Sequence, residues 1–337
     1  MTTGSGPEVQ RRNPIERAVG GWQIARVVMS ANRLDFFNAL ADKSLTAEEV
    51  AAHCQTHPRP TRTLLNACVA LGILIKDGDR YRNGPEALEM LVQGKPLYIG
   101  DAIRHQDDLW MPWGRLHEAV RTNTAASRRY NLVEQPDVHR NFILAMHDNA
   151  RRVAPFLSRT LDLTGRKQLF DAGGGPATHS IALVKRYPGL CAIVFDLPQT
   201  IEIAKEIIAK SDVADRISTR PGDYFKDGFG QGNDVVLFSA ILHSMGPEKS
   251  RGLLKKAWDS LVPGGIVVVH EGLISDDGTS PLSAVLFCLN MLVNTGEGQS
   301  YSGAEIIDLM KSVGFTDCKV LPLPEPMRTS LVVGKKY

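Results

Sequence analysis

The sequence predicts an α/β domain with a mostly parallel sheet, preceded by a smaller and mostly helical domain. From residue 168 onward, short apolar runs alternate with segments of helical periodicity, which is the order expected of strand–helix units. The apolar runs show no in–out alternation, and this is typical of parallel strands that helices cover on both faces. Residues 20–160 differ, because they carry helical patterns interrupted by a hairpin signal.

The composition is that of an ordinary globular protein. The chain has 337 residues, of which 43% are hydrophobic and 23% charged, and its net charge is only +2. That length allows one large or two ordinary domains, and that charge gives no reason to expect a nucleic acid or a membrane surface as partner. A polar N-terminus without a signal-peptide pattern and apolar runs too short for a membrane span predict a cytoplasmic protein.

The five cysteines predict neither disulfides nor a metal site. They are dispersed and form no CxxC pair, which is typical of reduced and mostly buried thiols. The nearest approach to a metal cluster is "HCQTH" at residues 53–57, and it lacks a second group of ligands at zinc spacing. No bound metal is therefore expected.

Four regions are predicted along the chain. They are a disordered tail at 1–14, a helical domain at 15–95, a helical segment at 96–160 and the α/β domain at 161–337. Within the second region, Thr46 and Glu49 form a capping box that starts a short helix, and Asp77-Gly78 is the turn signal of a hairpin. Two helices followed by a hairpin predict a winged-helix arrangement.

Seven strands are predicted in the α/β domain. Their letters are, in chain order, "QLFDAGGG" with its loop, "CAIVFDLP", "RISTRPGDYF" with its loop, "DVVLFSAILHS", "IVVVHEGLI", "DCKVLPL" and "RTSLVVGKK". The helix after the first strand is expected to hold Pro176 in its first turn, and the helix before the fifth strand is expected to stop at Pro263-Gly264-Gly265. Ligands of such sheets bind at the carboxyl ends of the strands, so the loops at those ends are the candidates for a site.

The loop "DAGGGPATHS" after the first predicted strand is typical of a nucleotide-like ligand. A triphosphate is disfavoured because no lysine follows the glycines, and a dinucleotide because Thr178 stands where the third glycine would be. A proline in the first helical turn would also remove an N–H donor that a pyrophosphate uses. S-adenosylmethionine needs no such donor, so the loop favours it. Gly173 and Gly175 allow close approach, and Asp171 is expected to serve the ammonium group either directly with its charge or by ordering the loop.

Acids end the next two predicted strands. Asp196 follows Gly175 by twenty-one residues and is placed to bond ribose hydroxyls, which fits both a dinucleotide and S-adenosylmethionine. Asp223, in "GDYF", is placed to bind the exocyclic amine of an adenine, with Tyr224 and Phe225 against its ring. Glycines and acids at three consecutive strand ends together predict a cofactor site.

Four longer stretches share one resemblance. "LFDAGGGPATHSIALVKRYPGLCAIVFDLPQTIEIA", "RPGDYF", "LHSMGPEKSRGLLKKAWDSLVPGGIVVVHE" and "GAEIIDLMKSVGF" resemble the class I O-methyltransferases of the hydroxyindole and caffeate type. The resemblance implies a Rossmann-like α/β methyltransferase domain, with a mostly parallel seven-stranded sheet and an antiparallel final strand, behind an N-terminal winged-helix dimerisation domain. It also implies a homodimer that moves a methyl group from S-adenosylmethionine to a hydroxyl of a small aromatic metabolite, without a metal.

The resemblance also implies roles for individual residues. His243, after the fourth strand, corresponds to the general base, and a histidine suits proton removal from a phenol at neutral pH. Glu271, at the end of the fifth strand, would orient the imidazole, whereas its neighbour His270 points to the other side of the strand and is expected to be structural. Further cofactor contacts are expected at the strand ends, from Leu197, Gly222, Ser239 and Ala240.

Acceptor contacts are predicted on two helices. They comprise Phe142, Met146 and Asn149 on the first and Met291 and Asn294 on the second. Met–aromatic surfaces suit flat rings, although core packing explains the same pattern equally well. His147, Trp110 and Trp113 are weaker candidates.

The chain departs from the family pattern in two places. Ser244 and Met245 follow His243 where aspartate and then tryptophan are frequent, and Ser300 stands at the position of a second acid, with Glu297 close by as a substitute. These departures leave open a family member that binds the cofactor without transferring a methyl group. A winged-helix DNA-binding regulator is a further alternative, but residues 59–71 offer only two arginines for phosphate contacts, and the apolar stretch 34–40 suits a dimer interface.

Overall fold

A computed structural model describes residues 13–126 and 136–337. These residues form two compact units, divided between Asp108 and Leu109. The predicted tail lies outside the described residues except for its last two, and Pro14 already belongs to the first helix. The other predicted region limits stay predictions. Within the described part of the chain, every helix is too short or too polar to cross a membrane.

The N-terminal unit contains six helices and a small sheet among its described residues. They are α1 Pro14–Arg33, α2 Phe36–Leu40, β1 Leu45–Thr46, α3 Ala47–His53, α4 Pro58–Ala70, β2 Leu74–Asp77, β3 Arg80–Asn83, α5 Pro85–Met90 and α6 Gly100–Asp108. The strands pair antiparallel in the order β1-β3-β2. The predicted capping box at Thr46 and the predicted hairpin at Asp77-Gly78 are confirmed.

Two helices, α1 and α2, occupy residues 14–40. The chain turns at Asp35, which has a left-handed φ of 65°, and so separates α1 from α2. This turn brings Phe36, Phe37 and Leu40 into the core of the unit. The buried carboxylate of Asp107 binds two arginines of α1 and holds α6 against that helix.

The C-terminal unit consists of helices and one large sheet. Its helices are α7 Trp110–Trp113, α8 Leu116–Thr122, α9 Pro136–Thr160, α10 Thr178–Arg186, α11 Pro198–Ile208, α12 Pro247–Ser260, α13 Leu282–Asn294 and α14 Gly303–Val313. Its strands are β4 Gln168–Ala172, β5 Cys191–Asp196, β6 Ile217–Pro221, β7 Asn233–Ser239, β8 Leu261–Glu271, β9 Thr316–Pro322 and β10 Ser330–Lys335.

The seven strands form one sheet in the order β6-β5-β4-β7-β8-β10-β9. The pairs from β6 to β8 are parallel, and β10 runs antiparallel to both of its neighbours. Both faces are covered: Leu169 of β4 packs into one apolar cluster and the next residue, Phe170, into the other. The chain proceeds from β4 outward to β6 and then returns to β7 on the other side of β4. The carboxyl ends of β4 and β7 therefore flank the switch point where ligands of such sheets bind.

Two predicted helix limits are wrong. Helix α10 begins at Thr178, so Pro176 lies in the turn before it rather than in its first turn. Helix α12 ends at Ser260, and β8 already includes the stretch around Pro263 that was expected to stop the helix. In both cases the local sequence signal indicates the approximate position of the helix end, whereas strand pairing and packing determine the residue at which the helix begins or ends.

Candidate active site

The glycine loop after β4 approaches the segment that follows β7. Gly173 has a φ of 73°, and a Cβ there would lie 2.4 Å from Cδ1 of Ile241. Gly175 has a φ of 52° and open space around the position of its missing Cβ. The loop thus uses one glycine for a close approach between the two strand ends and a second for a left-handed turn beside free space.

Asp171 lies buried beneath this loop. Its Oδ2 accepts a hydrogen bond from the Ser180 hydroxyl at 2.6 Å, and its Oδ1 has no partner among the described residues. Burial and, to a smaller extent, the nearby Asp196 carboxylate raise the pKa of Asp171 to about 7, although the hydrogen bond from Ser180 opposes the rise. A buried acceptor of this kind can order the glycine loop or take part in binding a cationic group above it.

Asp196 ends β5 and is held by backbone N–H groups. Its Oδ2 accepts from Gly175 N at 2.8 Å, and its Oδ1 accepts from Leu197 N at 2.7 Å. The structure thereby joins two of the predicted cofactor elements, the glycine loop and the ribose-binding acid. Burial raises the pKa of Asp196, and the hydrogen bonds from Gly175, Leu197 and Thr200 oppose that rise.

The loop after β6 begins close to Asp196. Gly222 donates from its N–H to the Asp196 carbonyl at 2.9 Å, and a Cβ there would lie 2.3 Å from Cε2 of Phe195. Asp223 accepts from Phe225 N at 2.9 Å, and the rings of Tyr224 and Phe225 meet edge to face at 4.7 Å. The predicted adenine-binding segment is therefore an ordered turn at the same sheet edge.

A lysine of α12 fastens this turn. Nζ of Lys256 donates to the carbonyl oxygens of Tyr224, Phe225 and Asp227 at 2.7, 2.9 and 3.0 Å. These three hydrogen bonds fix the backbone on which the two aromatic rings stand. Sequence reasoning missed Lys256, because a lysine inside a helix carries no local signal for a partner about thirty residues earlier.

His243 and Glu271 lie side by side at the ends of β7 and β8. Nδ1 of His243 is 2.7 Å from Oε2 of Glu271, and the His243 N–H donates to Oε1 at 3.3 Å. The carboxylate is an acceptor, so Nδ1 carries the proton, and Nε2 is the nitrogen that can take up another. Both side chains are largely buried, at 16% and 5% exposure. The structure therefore brings the predicted base and its predicted orienting acid together.

Helix α13 covers the imidazole with an aromatic ring. Phe287 meets His243 edge to face, with centroids 4.7 Å apart. Trp113 of α7 donates from Nε1 to Oδ1 of Asn290 at 2.9 Å, and Asn294 donates to the same oxygen at 3.0 Å. Phe287 was missed by sequence reasoning, although its spacing of four residues from Met291 is a helical-face signal that could have found it.

The remaining predicted acceptor residues differ in exposure. On α9, Phe142 and Met146 are half-buried, whereas Asn149 is exposed; on α13, Met291 and Asn294 are buried. Helical spacing places the three α9 residues on one face, as predicted. Their contact with an acceptor stays a prediction.

Neither Ser300 nor Glu297, the residues predicted near the position of a second acid, places a carboxylate against His243. The Ser300 hydroxyl donates to the Ala284 carbonyl at 3.0 Å. Glu297 pairs with Lys249 at 2.8 Å, and both of these side chains are more than half exposed. Among the described residues, Glu271 is the carboxylate that bonds the imidazole.

Ser239 and Ala240 end β7 next to a buried histidine. Ser239 Oγ is 2.8 Å from Nδ1 of His270, and Nε2 of that ring is 3.0 Å from the Thr329 hydroxyl. Ala240 has a left-handed φ of 57°, which is a strained conformation for a residue with a Cβ. It is exposed at the edge of the sheet. The interactions of His270 are those of the structural residue that the sequence predicts.

The loop between α13 and α14 holds the turn that carries His243. The Gln299 N–H donates to the His243 carbonyl at 2.8 Å, and the Tyr301 hydroxyl donates to the Met245 carbonyl at 2.7 Å. Gly298 directly precedes Gln299, and a Cβ at this position would stand 2.7 Å from the His243 carbonyl oxygen. The backbone of this loop thus sets the position of the imidazole.

Replacing Gly298 by alanine is expected to displace His243 and slow turnover. The added Cβ would also lie 2.3 Å from Oγ1 of Thr295, so the loop must move, at a cost of about 1–3 kcal/mol in the free energy of unfolding. Urea unfolding and kcat measure the two effects. Gly296→Ala is the matched control, since nothing lies within 4 Å of a Cβ there. Equal kcat values for the two variants would contradict the assigned role of the loop.

Buried histidines are expected to make the ligand-free protein lose stability in acid. Burial lowers the pKa of His147 and His179 to about 4 and that of His270 to about 3. Their contribution to stability is present above the unfolded pKa of about 6.5 and is lost as the pH falls toward the folded values. Asp171 acts in the opposite direction, because its stabilising contribution is present below the unfolded pKa and is lost as the pH rises through about 7.

Together these four groups take up about two protons on unfolding near pH 5, so the free energy of unfolding falls by about 3 kcal/mol for each pH unit of acidification. Urea unfolding between pH 7 and pH 5 measures it. His270→Gln is expected to flatten the curve by about one proton, whereas His117→Gln, at an exposed site, serves as the control. An unchanged slope in His270→Gln would contradict the assignment.

Comparisons with known proteins identify the family. Residues 99–316 match the O-methyltransferase domain, and residues 17–93 match the O-methyltransferase dimerisation domain. The 3-hydroxy-5-methyl-1-naphthoate 3-O-methyltransferase of Streptomyces sahachiroi is 33% identical, with 95% of this chain and 93% of that one covered. The tetracenomycin polyketide synthesis 8-O-methyl transferase TcmO of Streptomyces glaucescens is also 33% identical, over 93% of both chains.

A solved structure has the same fold. PigF, which is a methyl transferase of Serratia sp., has been solved with SAH, and it matches with a TM-score of 0.86, 26% identity and coverage of 96% of this chain and 98% of that one. The predicted fold is confirmed: a mostly parallel seven-stranded sheet with an antiparallel final strand follows an N-terminal dimerisation domain along the chain. The chain therefore belongs to the O-methyltransferase family.

Proposed function

We propose that this protein transfers the methyl group of S-adenosylmethionine to a phenolic hydroxyl of a small aromatic metabolite, with His243 as the general base. The observation that carries the proposal is the 2.7 Å contact between Nδ1 of His243 and Glu271 at the carboxyl ends of β7 and β8. It leaves Nε2 as the proton acceptor, at the edge of the sheet where ligands of this fold bind.

The residues present fit S-adenosylmethionine. Gly173 and Gly175 leave the loop without side chains, and Asp171 offers a buried oxygen without a partner among the described residues. The Asp196 carboxylate suits ribose hydroxyls, and the ordered turn with Tyr224 suits an adenine ring. The names of relatives that act on naphthoates and polyketides, and a relative solved with SAH, agree with this assignment.

The chain's own groups supply positioning and proton transfer. When bound, S-adenosylmethionine supplies an electrophilic methyl group on a sulfonium. Alignment of the acceptor oxygen with that methyl is mainly a proximity effect, to which Phe287 and the predicted residues Phe142 and Met146 contribute a surface for a flat ring. Nε2 of His243 accepts the hydroxyl proton, and Glu271 stabilises the imidazolium that forms.

A panel of acceptors with radiolabelled S-adenosylmethionine tests this function. Hydroxynaphthoates and hydroxyindoles are expected to take up label, whereas the same rings with the hydroxyl already methylated are not. Label on an amine or carbon analogue, with none on any hydroxylated compound, would overturn O-transfer. Binding of SAH without label on any acceptor would support the alternative of a family member that has lost methyl transfer.

We further infer a homodimer that does not bind DNA. Ile15, Val19 and Trp22 form an apolar stripe on α1 and are 74%, 67% and 56% exposed, which is typical of a surface that packs against a second chain. Light scattering is expected to give the mass of a dimer, and a monomer would contradict the inference.

The ion pair of α4 argues against DNA binding. Arg62 is paired with Glu48, which reduces the positive charge available to phosphates. A gel shift at physiological salt tests the DNA alternative.

A further inference from the structure

We propose that two histidine–threonine hydrogen bonds, His139–Thr200 and His147–Thr178, make helix α9 an extension of the cofactor site and couple acceptor binding to cofactor binding. The proposal rests on the function inferred above. His139 and His147 are then positioning residues, since they act through the segments that hold the cofactor.

The first bond reaches the helix that follows the ribose-binding acid. Nε2 of His139 is 3.0 Å from Oγ1 of Thr200, and both side chains are buried. Thr200 lies in the first turn of α11, four residues after Asp196, and its side chain lowers the pKa of the Asp196 carboxyl. His139 is therefore bonded to a residue that neighbours the acid.

The imidazole of His139 is expected to be neutral. Burial lowers its pKa, and its Nδ1 has no partner among the described residues. A neutral imidazole carries one N–H group, and with that proton on Nε2 the ring donates to Oγ1 of Thr200. A residue at the start of α11, next to Asp196, thus accepts a hydrogen bond from α9.

The second bond reaches the glycine loop. Nδ1 of His147 is 2.8 Å from Oγ1 of Thr178, which is the first residue of α10 and follows the loop directly. Thr178 stands where a dinucleotide-binding loop would have its third glycine. Its side chain therefore provides a contact that a glycine could not make.

The two bonds bracket two of the three predicted acceptor residues of α9. His139 and His147 are eight residues apart, or about 12 Å along the helix axis, and Phe142 and Met146 lie between them. The helix is thus bonded on both sides of this stretch, once to the residue that neighbours the ribose-binding acid and once to the residue that follows the glycine loop. Closing of these segments on a cofactor would set the position of the acceptor surface, and by linkage an acceptor would tighten cofactor binding.

An exposed ion pair between the same helices supplies the matched control. Arg140 of α9 binds Glu206 of α11 through two contacts of 3.0 and 2.7 Å at the surface. If α9 only needed to be docked, loss of this pair would act like loss of the histidine bonds. If the buried bonds carry the coupling, Arg140→Ala leaves it unchanged, because exposed pairs contribute little.

Calorimetry of SAH binding, with and without a hydroxynaphthoate probe, tests the coupling. We expect His139→Leu and His147→Leu to weaken SAH binding by about tenfold, the size of one buried hydrogen bond, and to abolish the gain in SAH affinity that the probe gives the wild-type protein. His139→Gln and His147→Asn keep a polar atom near Nε2 and Nδ1 respectively, and are expected to restore both. Thr178→Val and Thr200→Val remove the hydroxyls from the other side, should a leucine variant fail to fold.

Three results would decide against the proposal. Leucine variants that are less stable, yet keep the SAH affinity and the effect of the probe, would reduce the histidines to packing residues. A loss of coupling in Arg140→Ala equal to that in the leucine variants would assign it to general docking of α9. Wild-type protein that does not bind SAH would overturn the proposed function and this inference with it, whereas the first two results leave the function intact.

Discussion

Replacing His243 by alanine is expected to lower turnover of a phenolic acceptor by about 10²–10⁴-fold, the usual contribution of a general base. The imidazole is held on Nδ1 by Glu271 and covered by Phe287, so no neighbouring group replaces Nε2. The affinity for SAH is expected to stay unchanged, because the predicted cofactor contacts come from other residues, most of them at the ends of β4, β5 and β6. Label transfer measures turnover, and calorimetry measures affinity.

The control for this variant is His117→Ala, which removes an exposed histidine of α8. It is expected to keep both turnover and SAH affinity. A loss of SAH affinity in His243→Ala, with little change in kcat at saturating cofactor, would show that this histidine serves the cofactor and that the assignment as base is wrong.

Replacing Asp196 by asparagine is expected to weaken SAH binding by about ten- to a hundredfold, the value of one or two hydrogen bonds to a charged group. Both carboxylate oxygens accept backbone N–H groups, from Gly175 and Leu197. An asparagine has one oxygen, so its NH₂ group would face one of these donors and shift the glycine loop. Calorimetric titration with SAH measures the loss.

Asp162→Asn is the matched control for this substitution. Asp162 is exposed and also accepts a backbone hydrogen bond, from Thr164 N at 3.0 Å, but it lies at the amino end of β4, away from the strand ends that form the site. It is expected to bind SAH like the wild-type protein. Retention of full affinity in Asp196→Asn would remove this acid from the cofactor site.

Local signals predicted the elements well. The capping box at Thr46, the turn at Asp77-Gly78 and the seven strands all depend on residues within one element or one turn. The predicted limits of two helices were wrong by a few residues, because each prediction relied on a single proline. Pro176 lies before α10, and Pro263 lies inside β8, because pairing with a neighbouring strand and packing on the sheet outweigh a single residue's preference.

The candidate site, like the fold, could be predicted from the sequence only in part. The loops at the ends of β4 to β8 could be predicted, since the carboxyl ends of parallel strands share one edge of a sheet. The pair His243–Glu271, which is twenty-eight residues apart, followed from that rule together with the family resemblance. Phe287, Lys256 and the His139–Thr200 bond did not, because each depends on how a helix docks on the sheet.

By itself, the sequence determined the order of strands and helices, the glycine loop with its acids, and the family, because these depend on residue types and spacings along the chain. Only the tertiary structure decided which side chain faces the imidazole, how the backbone of Gly298 sets the position of His243, and that α9 is bonded to both cofactor-holding segments. Contacts between elements distant in sequence depend on helix rotation and packing, and a periodic pattern leaves both of these open.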